Sequence, residues 1–312
     1  MSRPHGARVS YFCHVHASLP DEVIDVLRQR FGGLEPAGAG TWSVAFRFER
    51  NGHFVVRVGE HAADFEVDAS MSSYSSKELP IPVVVEFGRL DPPHDHLYFC
   101  VSTYAPGTAL DAVRPDEWVA LVPRVADLLD ALQSIRPPAA LRVPAWPVVL
   151  LTPSAEDADG RLDGWTERLA ERPTLRAGYR TAMRRLRDLC SRATVANVEP
   201  TLLHCDLVNR NVHVVGQQIT GVFDWGCRRW GDHLYDLAWL EFWQPWHTNL
   251  DVALLRAELV SRWGAEPDPD RMTACLVHIG IDHIVYNAVI GDDAAGTDVV
   301  DRMKDLGLVD SL

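Results

Sequence analysis

The hydrophobic rhythm of the chain changes once, near residue 105. Before that point apolar and polar positions mostly alternate, the period of a half-buried strand. After it they recur at three and four, the period of a helix with one buried face. The opening is an exception. In SLPDEVIDVLRQRFG, residues 18–32, Ser18 is a candidate N-cap, acids fill the first turn, Val23, Ile24, Leu27 and Phe31 fall at helical spacing, and Gly32 ends the run, which predicts a helix. The following LEPAGAGTWSVAFRFERNGHFVVRVGE is aromatic and β-branched and turns at Asn51-Gly52, which predicts antiparallel strands joined by a tight hairpin. After a polar segment come two more strand-like runs, LPIPVVVEFGRL and HLYFCVSTYAPG, the second ending at Pro106-Gly107.

From Arg114 onward Trp118, Leu121, Val122, Val125, Leu128, Leu129 and Leu132 define one face of a long amphipathic helix, in spite of Pro123 inside it. A Pro-rich loop leads to a second helix near 174–192, with Leu175, Tyr179, Met183, Leu186 and Leu189 on one side. Its other side carries Arg176, Arg180, Arg184, Arg185 and Arg187, a solvated basic face. Beyond residue 200 two short β runs precede helical patterns that reach the C-terminus, with no internal repeat. The expected architecture is α+β and two-lobed: a small β-rich lobe over 1–104, including a linker strand, and a larger, mostly helical lobe over 105–312.

At 312 residues and 47% hydrophobic, the chain buries enough apolar surface to fold without a disulfide or metal staple. Its six cysteines, Cys13, Cys100, Cys190, Cys205, Cys227 and Cys275, are scattered without a C-x-x-C pair, which reads as reduced thiols and no zinc site. No apolar run approaches the roughly 20 residues that span a bilayer, and the start lacks a signal-peptide core, so a cytoplasmic protein without membrane contact is expected. The net charge of −13 disfavours nucleic acid, which needs a basic surface. From residue 221 onward 16 acids face 7 basic residues, a net −9. That excess suits a cationic ligand, or simply makes a solvated acidic face.

The chemistry concentrates in TLLHCDLVNRNVHVVGQQITGVFDW, residues 201–225: a strand end, a polar turn and a hairpin. His204-x-Asp206 followed by Asn211 gives H-x-D-x-x-x-x-N, and Asp224 closes the next strand. Phosphoryl transfer calls for these types: hard oxygen ligands for magnesium, and an acid that orients an attacking hydroxyl. In this reading Asp206 positions the substrate hydroxyl and takes its proton, Asn211 and Asp224 hold Mg2+, and His204 braces the loop. A merely hydrogen-bonded turn is the competing reading. A hydrolytic triad lacks the G-x-S-x-G elbow, and no G-x-x-x-x-G-K-[ST] loop occurs.

HCDLVNRN followed by GVFDW resembles the catalytic loop and metal segment of the aminoglycoside phosphotransferase family, relatives of the protein kinases. GDHLYDLAWLEFWQPW resembles its hygromycin B phosphotransferase branch more narrowly, and VVRV, LPIPVVVEFG, LVPRVADLLDAL and HIGIDHIVYNAVIGDDA follow that branch in the same order, over roughly residues 20–295. The resemblance implies a protein-kinase-like fold, with Asp206 as the catalytic aspartate and Asn211 and Asp224 as magnesium ligands. It implies that Arg57 in VVRV stands where most relatives place a phosphate-contacting lysine, with Asp68, or alternatively Glu66, as its acidic helix partner. The Gly38–Thr41 turn, with Gly40 and Thr41, would cover the phosphates, and backbone around Ser102 to Tyr104 would meet a purine, so either ATP or GTP is the donor. Asp232 and Asp236 would tie the loop to the helical lobe.

Trp239, Phe242, Trp243 and Trp246 read as core or as the floor of a sugar pocket, and Glu241, Asp282, Asp292 and Asp293, with Trp243, are candidates to meet a cationic substrate. The function so implied is an antibiotic kinase, hygromycin-like first. Alternatives are the same chemistry on another hydroxylated compound, such as a capuramycin-type nucleoside, a macrolide or a metabolite, or a nucleotide-binding pseudokinase. No D-F-G or A-P-E follows the loop, against a protein kinase. A monomer or weak dimer is expected.

Overall fold

The computed structural model describes residues 18–40, 42–152 and 162–310. Contacts divide the chain into two compact units, Met1–Tyr74 with Ile81–Ala105, and Ser75–Pro80 with Pro106–Leu312.

In the first unit helix α1 (Asp21–Phe31) buries Val23, Leu27 and Phe31. It starts after Pro20 with no side-chain cap, so Ser18 does not cap it as expected. Strands β1 (Glu35–Ala39), β2 (Ser43–Glu49) and β3 (His53–Gly59) are joined in part by the Asn51-Gly52 turn, whose residues have φ of 53° and 151°. Helix α2 (Ala62–Met71) follows where the hydrophobic pattern suggested only a polar segment and the resemblance alone implied a helix, through Asp68 or Glu66. Its Phe65, Asp68 and Met71 are buried, too sparse an apolar stripe to stand out in the pattern. Strands β4 (Val84–Arg89) and β5 (Tyr98–Thr103) complete an antiparallel sheet of order β1-β2-β3-β5-β4. One face of that sheet packs Phe46, Phe48, Val56, Val58, Phe99 and Val101 against α1. Each such burial removes the side chain from water for about 1.5–3 kcal/mol.

The second unit begins with β6 (Thr108–Ala109), a 3-10 turn at Leu110–Ala112 and α3 (Pro115–Ser134), in which all seven predicted face residues are buried. Short α4 (Trp146–Leu151) and α5 (Trp165–Ala170) lead to α6 (Pro173–Cys190), which leaves Arg180, Arg184, Arg185 and Arg187 exposed. After α7 (Ala193–Ala196) come β7 (Thr201–Leu203), β8 (Val212–Val215), β9 (Gln218–Val222) and β10 (Arg229–Gly231). They form two small sheets, β6-β8-β9 and β10-β7. Helices α8 (Leu234–Trp243), α9 (Val252–Trp263), α10 (Pro269–Ile290) and α11 (Asp293–Asp305) close the unit. Helix α10 is long and apolar enough to cross a membrane, yet it is the central helix of this unit, packed on α6, α8 and α11. The approach of α11 is close enough that a Cβ at Gly280 would lie 2.4 Å from Met303 Sδ.

Pro80 belongs with the second unit because its carbonyl accepts from Val222 N–H (2.8 Å), at the end of β9. The fold is the two-part kinase-like one, a β-rich N-terminal unit and a helix-rich C-terminal one.

Candidate active site

The site is a loop between β7 and β8 whose backbone the sequence bends sharply. Cys205, Asn209 and Arg210 have φ of 66°, 63° and 69°, and Asp224 at the end of the hairpin has 58°. Non-glycine residues seldom adopt this region, so the surroundings must hold them there. Asp236, fully buried on α8, does so at Cys205: its two carboxylate oxygens accept from His204 N–H (2.9 Å) and Cys205 N–H (2.8 Å). Burial still pushes Asp236 up to about 6, against those two bonds. Asp232, also buried, takes a two-pronged bond from Arg271 (2.8 and 2.6 Å) and accepts from Leu234 N–H. Both acids therefore do the structural work expected of them.

His204 is buried under the loop, 4.6 Å from the Trp225 ring by centroid. Its Nε2–H donates to Phe223 O (2.8 Å), and its Nδ1 accepts from Asp206 N–H (3.2 Å). The acceptor role of Nδ1 demands the neutral ring, and burial holds its pKa near 4 against the bond to Phe223 O, which favours the charged form. This braces the loop and joins it to the end of β9. A second link is the bond from Phe223 N–H to Asn211 O (2.8 Å).

The Asp206 carboxylate accepts from Asn209 Nδ2 at Oδ1 (2.7 Å) and from Asn211 Nδ2 at Oδ2 (2.9 Å). Asn211 Nδ2 also reaches Asp206 O. Among the described residues this acid is held by neutral amides, and burial together with the nearby Asp224 charge pushes it up to about 8. Asn209 escaped the sequence reading, although it stands in the same NRN triplet as Asn211. Cys205 is buried and its thiol is pushed up, so it packs rather than reacts.

Magnesium fits these residues. Asn211 spends its amide nitrogen on Asp206, so the amide oxygen is the atom that would hold the metal, and Asp224 is an exposed carboxylate whose charge reaches Asp206. Among the described residues no three His, Cys, Asp or Glu side chains cluster as a metal cage. A pair of hard oxygens is what Mg2+ takes from protein when phosphate and water fill its other positions.

In the first unit Arg57 on β3 pairs with Asp68 on α2, and both are largely buried; Glu66 is exposed and is not the partner. Gly40 lies in the β1–β2 turn and its N–H donates to Ser43 O (2.9 Å), while Thr41 lies outside the described residues. Ser102 sits mid-sheet on β5, opposite Val55 and Val84. The Thr103 and Tyr104 amides donate to Val83 O and His53 O, so they are already used inside the sheet.

The acids proposed for a cationic substrate turn out to be occupied. Glu241 pairs with Arg256 (2.9 Å), Asp282 with Arg229 (3.0 Å) and Asp293 with Arg172 (2.5 Å), while Asp292 caps α11 through Ala295 N–H (2.9 Å). Trp243 is 2% exposed, with Trp239, Phe242, Trp246 and His283 packed around it at centroid distances of 4.6–5.9 Å, so it is core. For Glu241, Asp282 and Asp293 the reason is the same: counting charge along the chain does not reveal which arginine the fold brings to meet each acid.

A kinase-like fold carrying an aspartate, an asparagine and a second aspartate on this loop and hairpin defines a phosphotransferase with an alcohol group as acceptor. The chain belongs to the phosphotransferase enzyme family, whose sequence profile matches residues 34–275. It is 27% identical over 276 residues, 82% of its own length and 75% of the relative's, to hygromycin-B 4-O-kinase of Escherichia coli. Among solved structures, a thermostable mutant of aminoglycoside phosphotransferase APH(4)-Ia in ternary complex with ADP and hygromycin B superposes with a TM-score of 0.75, at 23% identity, covering 91% of this chain and 97% of that one. The GDP and kanamycin complex of APH(2")-IIIa gives a TM-score of 0.62 at 18% identity, covering 91% and 97%. These structures establish the fold.

Proposed function

We propose that the protein moves the γ-phosphoryl group of ATP or GTP to a hydroxyl of an antibiotic, with a hygromycin-B-like aminoglycoside as the favoured acceptor. The observation that carries the reading is the Asp206 carboxylate, fixed at both oxygens by the Asn209 and Asn211 amides beside Asp224. A carboxylate clamped in this way can accept the acceptor's O–H without moving, and positioning is most of what a loose phosphoryl-transfer transition state needs. As the hydroxyl oxygen bonds to phosphorus and the bond to the leaving diphosphate breaks, the hydroxyl proton passes to Asp206. Asn211 and Asp224 would hold Mg2+, which neutralises charge on the triphosphate and makes ionised Asp206 cheaper. Asp236 and His204 hold the loop in its strained form. In the N-terminal unit, Arg57, oriented by Asp68, is the donor proposed for the α- and β-phosphates, with Gly40 in the covering turn. The adenine or guanine would meet backbone near Ser102 to Tyr104, at groups other than the two amides that the sheet uses.

The relative named hygromycin-B 4-O-kinase and the hygromycin B complex of APH(4)-Ia support the choice of acceptor. The cytoplasm, where nucleoside triphosphates are made, is the proposed site of action. Mass spectrometry of antibiotics incubated with the protein, Mg2+ and ATP or GTP tests the reading. A gain of one phosphate on hygromycin B supports it. A gain only on a capuramycin or another hydroxylated compound keeps the chemistry and discards the acceptor, and no gain on any acceptor favours a nucleotide-binding protein without transfer activity.

A further inference from the structure

The middle of the catalytic loop carries an arginine with no acid to meet it. Arg210 is exposed and stands between Asn209 and Asn211, whose amides hold the two carboxylate oxygens of Asp206 at 2.7 and 2.9 Å. Its Cα is therefore one peptide, about 3.8 Å, from the Cα of each residue that clamps that carboxylate. Its φ of 69° is left-handed, a conformation that glycine or asparagine adopts at lower cost than arginine. Among the described residues its side chain makes no hydrogen bond and no ion pair. Arginines elsewhere in this unit are spent: Arg229 faces Asp282, Arg271 faces Asp232 and Arg256 faces Glu241. The loop is otherwise negative, since the charges of Asp224 and, more weakly, Asp111 reach Asp206. A triphosphate brought here adds more negative charge, and a solvent-facing guanidinium is the side chain whose fork of donors fits phosphoryl oxygens.

We propose that Arg210 is a further catalytic residue, whose guanidinium donates to the γ-phosphoryl oxygens of the bound nucleoside triphosphate while that group is transferred. The inference rests on the phosphotransferase reading above and adds to it the residue that meets the charge of the moving group. Arg210 forms and breaks no covalent bond and gives up no proton. The acceptor oxygen bonds to phosphorus, the bond to the leaving diphosphate breaks and the hydroxyl proton passes to Asp206, while the guanidinium stays charged. Negative charge spread over the three equatorial oxygens is where a cation lowers the barrier. An anionic group on the acceptor is the other ligand a guanidinium could take, but the favoured acceptor carries ammonium groups, which it repels.

The test compares wild type with Arg210→Asn and Arg210→Lys, by calorimetry with Mg2+ and either AMP-PNP or ADP (or their guanine counterparts) and by steady-state kinetics on hygromycin B. Arg210→Asn should raise the Kd for the imido triphosphate about tenfold and leave that for the diphosphate at the wild-type value. Its kcat should fall about 10²–10³-fold with acceptor KM little changed, and added guanidinium ion at millimolar concentration should return part of that kcat without accelerating the wild type. Arg210→Lys should fall between the two, because it keeps the charge and loses the fork. The melting temperature of Arg210→Asn should equal or exceed that of the wild type, since asparagine takes the left-handed region more readily. Wild-type values of both kcat and the imido triphosphate Kd overturn the proposal. So does a rise confined to acceptor KM, which would put the guanidinium on the acceptor, and so does a lowered melting temperature without guanidinium rescue, the mark of a structural role. A wild type that binds the triphosphate analogue yet phosphorylates no acceptor removes the functional reading, while the two Kd values still decide the contact at Arg210; one that binds no nucleotide removes both.

Discussion

The loop from His204 to Asp224 and the helices from Leu234 onward treat carboxylates in opposite ways. In the helical region Asp282, Glu241 and Asp293 each face an arginine, at 3.0, 2.9 and 2.5 Å. On the loop Asp206 is held by neutral amides, and burial first, then the charge of Asp224, raises its pKa to about 8. These three acids of the acid-rich region are thus each offset by an arginine, whereas Asp206 is held by amides alone among the described residues. What draws a cation is the local imbalance that remains after the fold has made its ion pairs, rather than the acid count of a segment.

Substitutions can break or sharpen this contrast. The largest effect should come from Asp206→Ala, which removes the carboxylate proposed to accept the hydroxyl proton: kcat should fall about 10²–10⁴-fold while nucleotide Kd, measured by calorimetry, stays near wild type. Near-normal turnover would place the chemistry elsewhere. Asp282→Ala removes the carboxylate that faces the largely buried Arg229, which also contacts His278 Nε2 at 3.4 Å, so it should lower stability by about 3–5 kcal/mol in denaturant unfolding. A loss of acceptor affinity with unchanged stability would show that Asp282 belongs to the site after all.

The next effect is one of pH. His278 is buried, meets Tyr235 Oη at 2.9 Å through Nδ1, and has its pKa lowered to about 4. Between about 4 and the ordinary value near 6.5 the native state therefore binds fewer protons than the unfolded chain, so stability rises with pH across that window and is lost as pH falls through it. Asp236, raised to about 6, acts in the opposite sense between its ordinary value and 6, but equally in any protein that retains it. The loss of stability on going from pH 6.5 to pH 4 should consequently be smaller in His278→Gln than in wild type, and equal losses would refute the buried neutral imidazole. The smallest effect is expected from Asp293→Ala. Its carboxylate is 68% exposed, so the Arg172 pair should contribute less than about 1 kcal/mol, and acceptor KM should not move. A tenfold rise in KM would mean that the charge count had pointed to the site correctly.

Residues 201–225 show why part of the site was legible in the sequence. His204, Asp206, Asn211 and Asp224 sit within one loop and one hairpin, so short-range spacing brings them together: Asn211 is five positions from Asp206, and Phe223 pairs back to Asn211 O. The β-rich start and the helical remainder were legible for a similar reason, because alternation and three-four periodicity are local consequences of burying one face. Helix α2 was not, since only Phe65, Asp68 and Met71 of its ten residues are buried and one of those is charged.

What the sequence determined by itself was therefore everything that depends on neighbours along the chain: the strands and long helices, the loop that presents Asp206, and the types of oxygen available to magnesium. The tertiary structure alone decided which acids are cancelled. Asp282 and Arg229 are 53 residues apart, Arg172 and Asp293 are 121 apart, and Asp111 arrives beside the loop through the pairing of β6 with β8. Ion pairing and desolvation depend on distance in space, and neither leaves a period in the sequence by which it could be read.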